Sequence, residues 1–210
     1  RELAHQLVAH PELAAEHRRA LDGIPAPLTT DSDDDLDTVA AILSETDVDT
    51  RWLIPGHLAR GDRHVLVAPE GAIKSTLFRQ LAVCYSAGLN PWNRQRVADG
   101  LRVLFVDAEN SRDQSRHSYR WIANRCRTTM MADGWGERLV HKTRNDGINL
   151  IGKDEQWLRE LADRTSPDVI ILGPAYKLMR GDPKEDRDVQ NLLDVIDRVR
   201  VEHDAAVLIE

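Results

Sequence analysis

The chain has 210 residues, 41% hydrophobic and 30% charged, which is enough apolar material for a core and excludes the disordered, collagenous and disulfide-built classes. No apolar run approaches the roughly eighteen residues of a membrane span, and no basic stretch leading into an apolar one opens the chain, so neither a membrane partner nor a secretory leader is expected. The net charge of −7 is local: residues 31–49 hold eight acids and no Lys or Arg, whereas 51–210 hold 25 bases against 23 acids, so the overall acidity does not argue against nucleic acid as a partner of the body.

Residues 2–22 read as helix with a break, Pro11 being suited to a first turn, with Leu13, His17 and Leu21 on one face and Gly23 as the stop. Asp31 to Asp35 form a solvated connector. Leu36, Val39, Ala40 and Leu43 then recur at i, i+3, i+4 and i+7, which predicts a short amphipathic helix over 36–44. The organisation expected is therefore a helical segment over 1–30, an acidic connector over 31–50 and a body over 51–210. The chain begins at Arg1 and ends inside the apolar run 205–210, so the body reads as C-terminally incomplete.

In the body, strands alternate with helices. Strands are expected at 64–67, 102–106, 139–141, 169–172 and 205–209, and helices at 74–87, 112–127, 154–164 and 187–202. The strands are continuous apolar runs, which is how strands read when both faces of a parallel sheet are covered, so the fold class is α/β. Cys84 and Cys126 fall in helical patterns and read as buried reduced thiols of a cytoplasmic protein. The histidines show no spacing with them that would hold zinc. The five tryptophans read as packing. Arg112, Arg116 and Arg120 recur every four residues on one helix and read as a solvated basic face, or else as a phosphate or subunit contact.

After the first strand of the body comes Ala68-Pro69-Glu70-Gly71-Ala72-Ile73-Lys74-Ser75-Thr76. A phosphate-cradling loop has the form G-x-x-x-x-G-K-[ST] between a strand and a helix. Lys74 and Ser75 fit, and Gly71 remains, but Ala68 and Ile73 stand where the outer glycines belong. Backbone N–H groups at the helix start would face a phosphate, Lys74 would add positive charge, and the Ser75 hydroxyl would ligate a metal. A β-branched Ile73 tolerates positive φ poorly, so either the loop uses an ordinary φ there or its grip is weakened. The plainer alternative is a strand–loop–helix with an accidental Lys-Ser-Thr.

Ligands of open parallel sheets sit at the C-terminal ends of the strands. There the second strand of the body carries Asp107-Ala108-Glu109-Asn110. Two carboxylates at i and i+2 on a strand point the same way, which places Glu109 to orient a water and leaves Asp107 as a metal ligand or a structural acid. A helix-capping role for this stretch stays open. At 173, where phosphate-loop enzymes usually keep a metal-orienting Asp, this chain has Gly173, so a metal would need Asp107, Glu109 or Glu210.

Trp52-Leu53-Ile54-Pro55-Gly56, the Glu-Gly-x-x-Lys-Ser-Thr-Leu loop, Val-Asp-Ala-Glu-Asn at 106–110, and Gly-Pro-x-Tyr-Lys-Leu-x-Arg-Gly-Asp-Pro at 173–183 resemble the RepA-like AAA-type ATPases. These are RecA-fold motors related to hexameric DnaB-type helicases, and the version here is similar to those of actinobacteria and their phages. The resemblance covers about 51–210. It implies a RecA-like P-loop core with a mostly parallel sheet, ATP and Mg²⁺ as cofactors, and a homo-oligomeric ring such as a hexamer. Carried onto this sequence, it implies nucleotide contacts from Pro69 to Thr76, with Lys74 and Ser75 on phosphate and metal. It makes Glu109 the catalytic glutamate and Glu210 a phosphate sensor, with an arginine finger beyond Glu210. The loop after Gly173 would face the pore, with Lys177, Arg180 and Lys184 on single-stranded DNA.

Two functions of different class follow. One is a hydrolysing motor on single-stranded DNA, a replicative-helicase-like ATPase. The other is an ATP-binding switch or loader that hydrolyses weakly. A RecA-like recombination or defence ATPase is a third. The loop after Gly173, rich in charge and holding Gly181 and Pro183, is expected to pack little.

Overall fold

The computed structural model describes residues 38–44, 50–69, 72–126, 134–180 and 185–210. The helix expected over 2–22, together with Leu36, Glu70, Gly71 and Lys184, lies outside the described residues. The chain divides into two units between Asp49 and Thr50. In the first, α1 runs Val39–Ser44, shorter than the 36–44 expected. It starts where the Thr38 hydroxyl accepts the Ala41 N–H at 3.1 Å.

The second unit holds a five-stranded sheet of β3 (Arg63–Val65), β4 (Val103–Asp107), β5 (Leu139–Thr143), β6 (Val169–Gly173) and β7 (Ala206–Ile209). The spatial order is β3-β7-β6-β4-β5, with every pair parallel. Ahead of it lies a two-stranded antiparallel hairpin, β1 (Trp52–Ile54) with β2 (Leu58–Ala59), whose strands are too short to show a period in the sequence. The helices are α2 (Lys74–Ser86), α3 (Arg112–Cys126), the short α4 (Trp135–Arg138), α5 (Glu155–Thr165) and α6 (Asp186–Glu202). This is the α/β class expected, a parallel sheet flanked by helices.

Strand alternation sorts the core into two layers. Leu104, Val106, Ile170, Leu172, Val207 and Ile209 face α5 and α6 through Leu158, Ala162, Leu192, Val195, Ile196 and Val199. The intervening Val103, Phe105, Val169, Ile171, Ala206 and Leu208 face α2 through Phe78, Leu81, Ala82 and Tyr85, with Leu53, Ile54 and Leu58 of the hairpin in the same layer. Both faces are covered, which is why these strands read as unbroken apolar runs.

Two expectations change. Trp52, Trp92 and Trp121 are exposed rather than packed, while Trp135 and Trp157 lie against buried clusters. Trp121 carries the Arg125 guanidinium over its ring at 4.4 Å, which accounts for a tryptophan on a solvated helix face. The segment after Gly173 does pack: Ala175–Lys177 form a 3-10 turn, and Leu178 and Met179 are buried in the core. Cys84 is buried, and the side chain of Cys126 lies outside the described residues. Among the described residues no helix is long and apolar enough to cross a membrane.

Candidate active site

At the end of the segment between β3 and α2, Ile73 takes a backbone conformation that usually calls for glycine. Ile73, at the start of α2, sits at φ 51° and ψ 25°, in the left-handed region. Its side chain is 75% exposed, so the strain of a β-branched residue there is not offset by burial. The Lys74 ammonium donates to the carbonyl oxygens of Ala68 at 2.9 Å and Pro69 at 3.1 Å.

Ser75, on the first turn of α2, donates its hydroxyl to Glu210 Oε1 at 2.7 Å. Glu210 follows β7, the strand between β3 and β6. Its backbone is held on both sides: its N–H donates to Leu172 O at 3.0 Å, and its carbonyl accepts the Ala175 N–H at 2.7 Å. Burial pushes the Glu210 carboxyl up, the Ser75 hydrogen bond opposes that, and the negative charge of Glu109 adds to it. Glu109 is exposed and accepts the Tyr176 hydroxyl proton at 3.1 Å. Lys74, Ser75, Thr76, Glu109, Tyr176 and Glu210 line one cleft of about 820 Å³, a size usual for small-ligand sites.

Asp107 does not join them. It is 2% exposed and hydrogen-bonded on both oxygens. Oδ1 accepts the N–H groups of Glu109 at 3.1 Å and Asn110 at 2.9 Å, and Oδ2 accepts the Arg79 guanidinium at 2.7 Å. Burial works against its charge, but the Asn110, Glu109 and Arg79 hydrogen bonds outweigh it and hold the carboxyl below the usual range. Asp107, expected as a metal ligand or a structural acid, has its oxygens engaged by the turn after β4 and by a buried ion pair with α2. The shared direction expected for Asp107 and Glu109 fails because β4 ends at Asp107, so strand alternation does not extend to Glu109.

Lys177 and Arg180 are exposed and lie outside the cleft lining, with the Lys177 ammonium over the Tyr176 ring at 5.5 Å. Sequence reasoning singled out neither Tyr176 nor Arg79 as a site residue. Tyr176 stood inside the Gly-Pro-x-Tyr-Lys-Leu block. Arg79 carried a signal too, as a charged residue beside Phe78 on the helix that packs Leu81, Ala82 and Tyr85 against the sheet. The hard oxygen donors lining the cleft include the Ser75 hydroxyl and the carboxylates of Glu109 and Glu210, a donor set that suits Mg²⁺.

A family model described as an AAA domain matches residues 31–210. Among solved structures, the chain is similar to a KaiC-like protein from the hyperthermophilic archaeon Pyrococcus horikoshii OT3. The two share 14% identity with a TM-score of 0.49, over 75% of this chain and 63% of that one. The chain thus spans less than two thirds of that protein's length. No curated protein matches it.

Proposed function

The chain belongs to the AAA domain family, and from that premise we propose that it binds ATP with Mg²⁺ in the cleft between the β3–α2 loop and Glu109 and hydrolyses it to drive a motor on single-stranded DNA. The observation that carries the reading is the convergence of Lys74, Ser75 and Glu109, from two separate strand ends, on one cleft. The triphosphate lies along the start of α2, where backbone N–H groups and the helix dipole favour anions. Lys74 exchanges its two loop carbonyls for β- and γ-phosphate oxygens. Glu109 orients a water in line with the γ-phosphorus and draws on its proton. The new P–O bond forms as the bond to the β,γ-bridging oxygen breaks, giving ADP and phosphate. Mg²⁺, when bound, neutralises charge on the β- and γ-phosphates. Lys177 and Arg180, with Lys184 by sequence, track a DNA backbone as point charges. By family resemblance the working form is a homo-oligomeric ring such as a hexamer.

The experiment is ATP binding and turnover, with and without single-stranded DNA, in the parent, Lys74→Ala and Glu109→Gln. Lys74→Ala should lose at least about tenfold in ATP affinity, about 1.4 kcal/mol. Glu109→Gln should bind ATP and lose turnover, because an amide keeps the shape but takes no proton. DNA should stimulate the parent. Unchanged ATP binding in Lys74→Ala sinks the nucleotide site. Intact binding with negligible turnover under both conditions favours the switch or loader, a reading that the strained Ile73 also supports.

A further inference from the structure

We propose that Glu210 is the metal-positioning carboxylate of this site, carried one strand across the sheet from the place where phosphate-loop enzymes keep it, and that Gly173 leaves the room it needs. The inference rests on the ATP reading above and assigns the residue that reading leaves open. Gly173 ends β6 at the position of the usual Asp. A Cβ there would lie 2.6 Å from Glu210 Cβ and 3.3 Å from Glu210 Oε2. Atoms do not approach so closely, so no side chain at 173 coexists with Glu210 as placed. The space that an Asp at 173 would enter is filled from the neighbouring strand.

The replacement is well supported. Hydrogen bonds to Leu172 and from Ala175 fix the Glu210 backbone on β6 and on the turn beyond it. The side chain then reaches α2 and accepts the Ser75 proton at 2.7 Å. A hydroxyl has one proton and two lone pairs. With its proton committed to Glu210, Ser75 keeps lone pairs for a cation, and the carboxylate fixes the orientation in which it offers them. The other two acids have other work: both Asp107 oxygens are engaged by Arg79 and the turn after β4, and Glu109 is the group that the ATP reading assigns to the attacking water. Ser75 with Glu210 therefore forms a hard-oxygen pair at the phosphate end of the cleft. Glu210 acts through Ser75, as a positioning residue.

The test titrates a non-hydrolysable ATP analogue against the parent and Glu210→Gln, in EDTA and in Mg²⁺, with Mn²⁺ electron paramagnetic resonance as a direct probe of the metal. Glutamine keeps the size and can still accept the Ser75 proton, so the loop should stay folded and metal-free affinity should match the parent. The negative charge is gone, so the gain in affinity on adding Mg²⁺ should shrink by roughly ten- to a hundredfold, with a matching loss of Mn²⁺ affinity. Glu210→Gly with Gly173→Asp returns a carboxylate on β6 and removes the clash, and it should recover part of the metal-dependent gain. A Glu210→Gln protein with the parent's full Mg²⁺ gain and Mn²⁺ affinity overturns the inference while leaving ATP binding standing. A parent that binds no analogue in either buffer overturns the ATP reading, and this inference with it.

Discussion

Ile73 stands where the usual pattern has a glycine, and its backbone still takes the left-handed conformation. Holding an L residue in the left-handed region costs about 1–2 kcal/mol, and an exposed side chain recovers little of it. Glycine would remove the strain but raise the entropy of the unfolded chain, at a cost of about 0.4–1 kcal/mol. Ile73→Gly should therefore be neutral to stabilising by up to about 1 kcal/mol in urea unfolding, with ATP affinity no weaker than the parent's. A drop in stability above about 2 kcal/mol would mean that the Ile73 side chain has a partner that its exposure does not reveal. Gly173 has the opposite logic. Its problem is space, because any Cβ meets Glu210, so even Gly173→Ala forces β6 and β7 apart at the site.

The segment after β6 shows how an element's sequence can hide its packing. Lys177, Arg180, Lys184 and their acidic neighbours make the stretch look solvated, and the pair Leu178-Met179 inside it is too short to carry a period. In the structure the pair is buried. The carbonyls of Lys177 and Leu178 accept the N–H groups of Ile148 at 3.2 Å and Leu150 at 2.8 Å, which pins the segment to the chain after β5. Lys177 and Arg180 are thus presented from an anchored ledge, on either side of two buried residues. Changing both to Ala should weaken single-stranded DNA binding alike for different sequences. The slope of log affinity against log salt should flatten by about 0.7 for each phosphate that the variant no longer neutralises. ATP affinity should hold, since neither residue lines the cleft. An unchanged salt slope would take DNA away from this ledge.

For the molecule as a whole, the buried Asp107 cluster sets a pH limit on stability. His141 on β5 is pushed down to about 4 by burial, a shift that the nearby Asp107 charge opposes and the Arg79 charge reinforces. Its folded pKa therefore lies below the unfolded value of about 6.5. The unfolded chain binds the extra proton between these values, so the stability is present above about pH 6.5 and is lost as pH falls towards 4. Asp107, also held low, adds a second loss further into acid. Between about pH 7.5 and about pH 5 the His141 contribution should be on the order of 2 kcal/mol. Tyr119 OH lies 2.9 Å from His141 Nδ1, and a glutamine can keep that partner without titrating. His141→Gln should thus show a flatter stability profile over that interval by urea unfolding. Parallel profiles for the two proteins would place the titration elsewhere, with His57, also pushed down by burial, next in line.

The sheet, its flanking helices and the position of the phosphate loop were legible in the sequence, because these depend on local pattern. Strands buried on both faces must be apolar throughout, helices must repeat near every third or fourth residue, and Lys-Ser after a strand marks a helix start. Local pattern also placed Lys74, Ser75, Glu109 and Glu210 among the candidates. Which acids reach the cleft was settled in three dimensions. Asp107 and Glu109 are two residues apart, and what separates them is Arg79, which arrives from α2 to claim one of them. Gly173 and Glu210 are 37 positions apart in the chain, and the room one leaves for the other exists only because β6 and β7 lie side by side. Such relations come from the meeting of distant segments, and no local period or propensity records them.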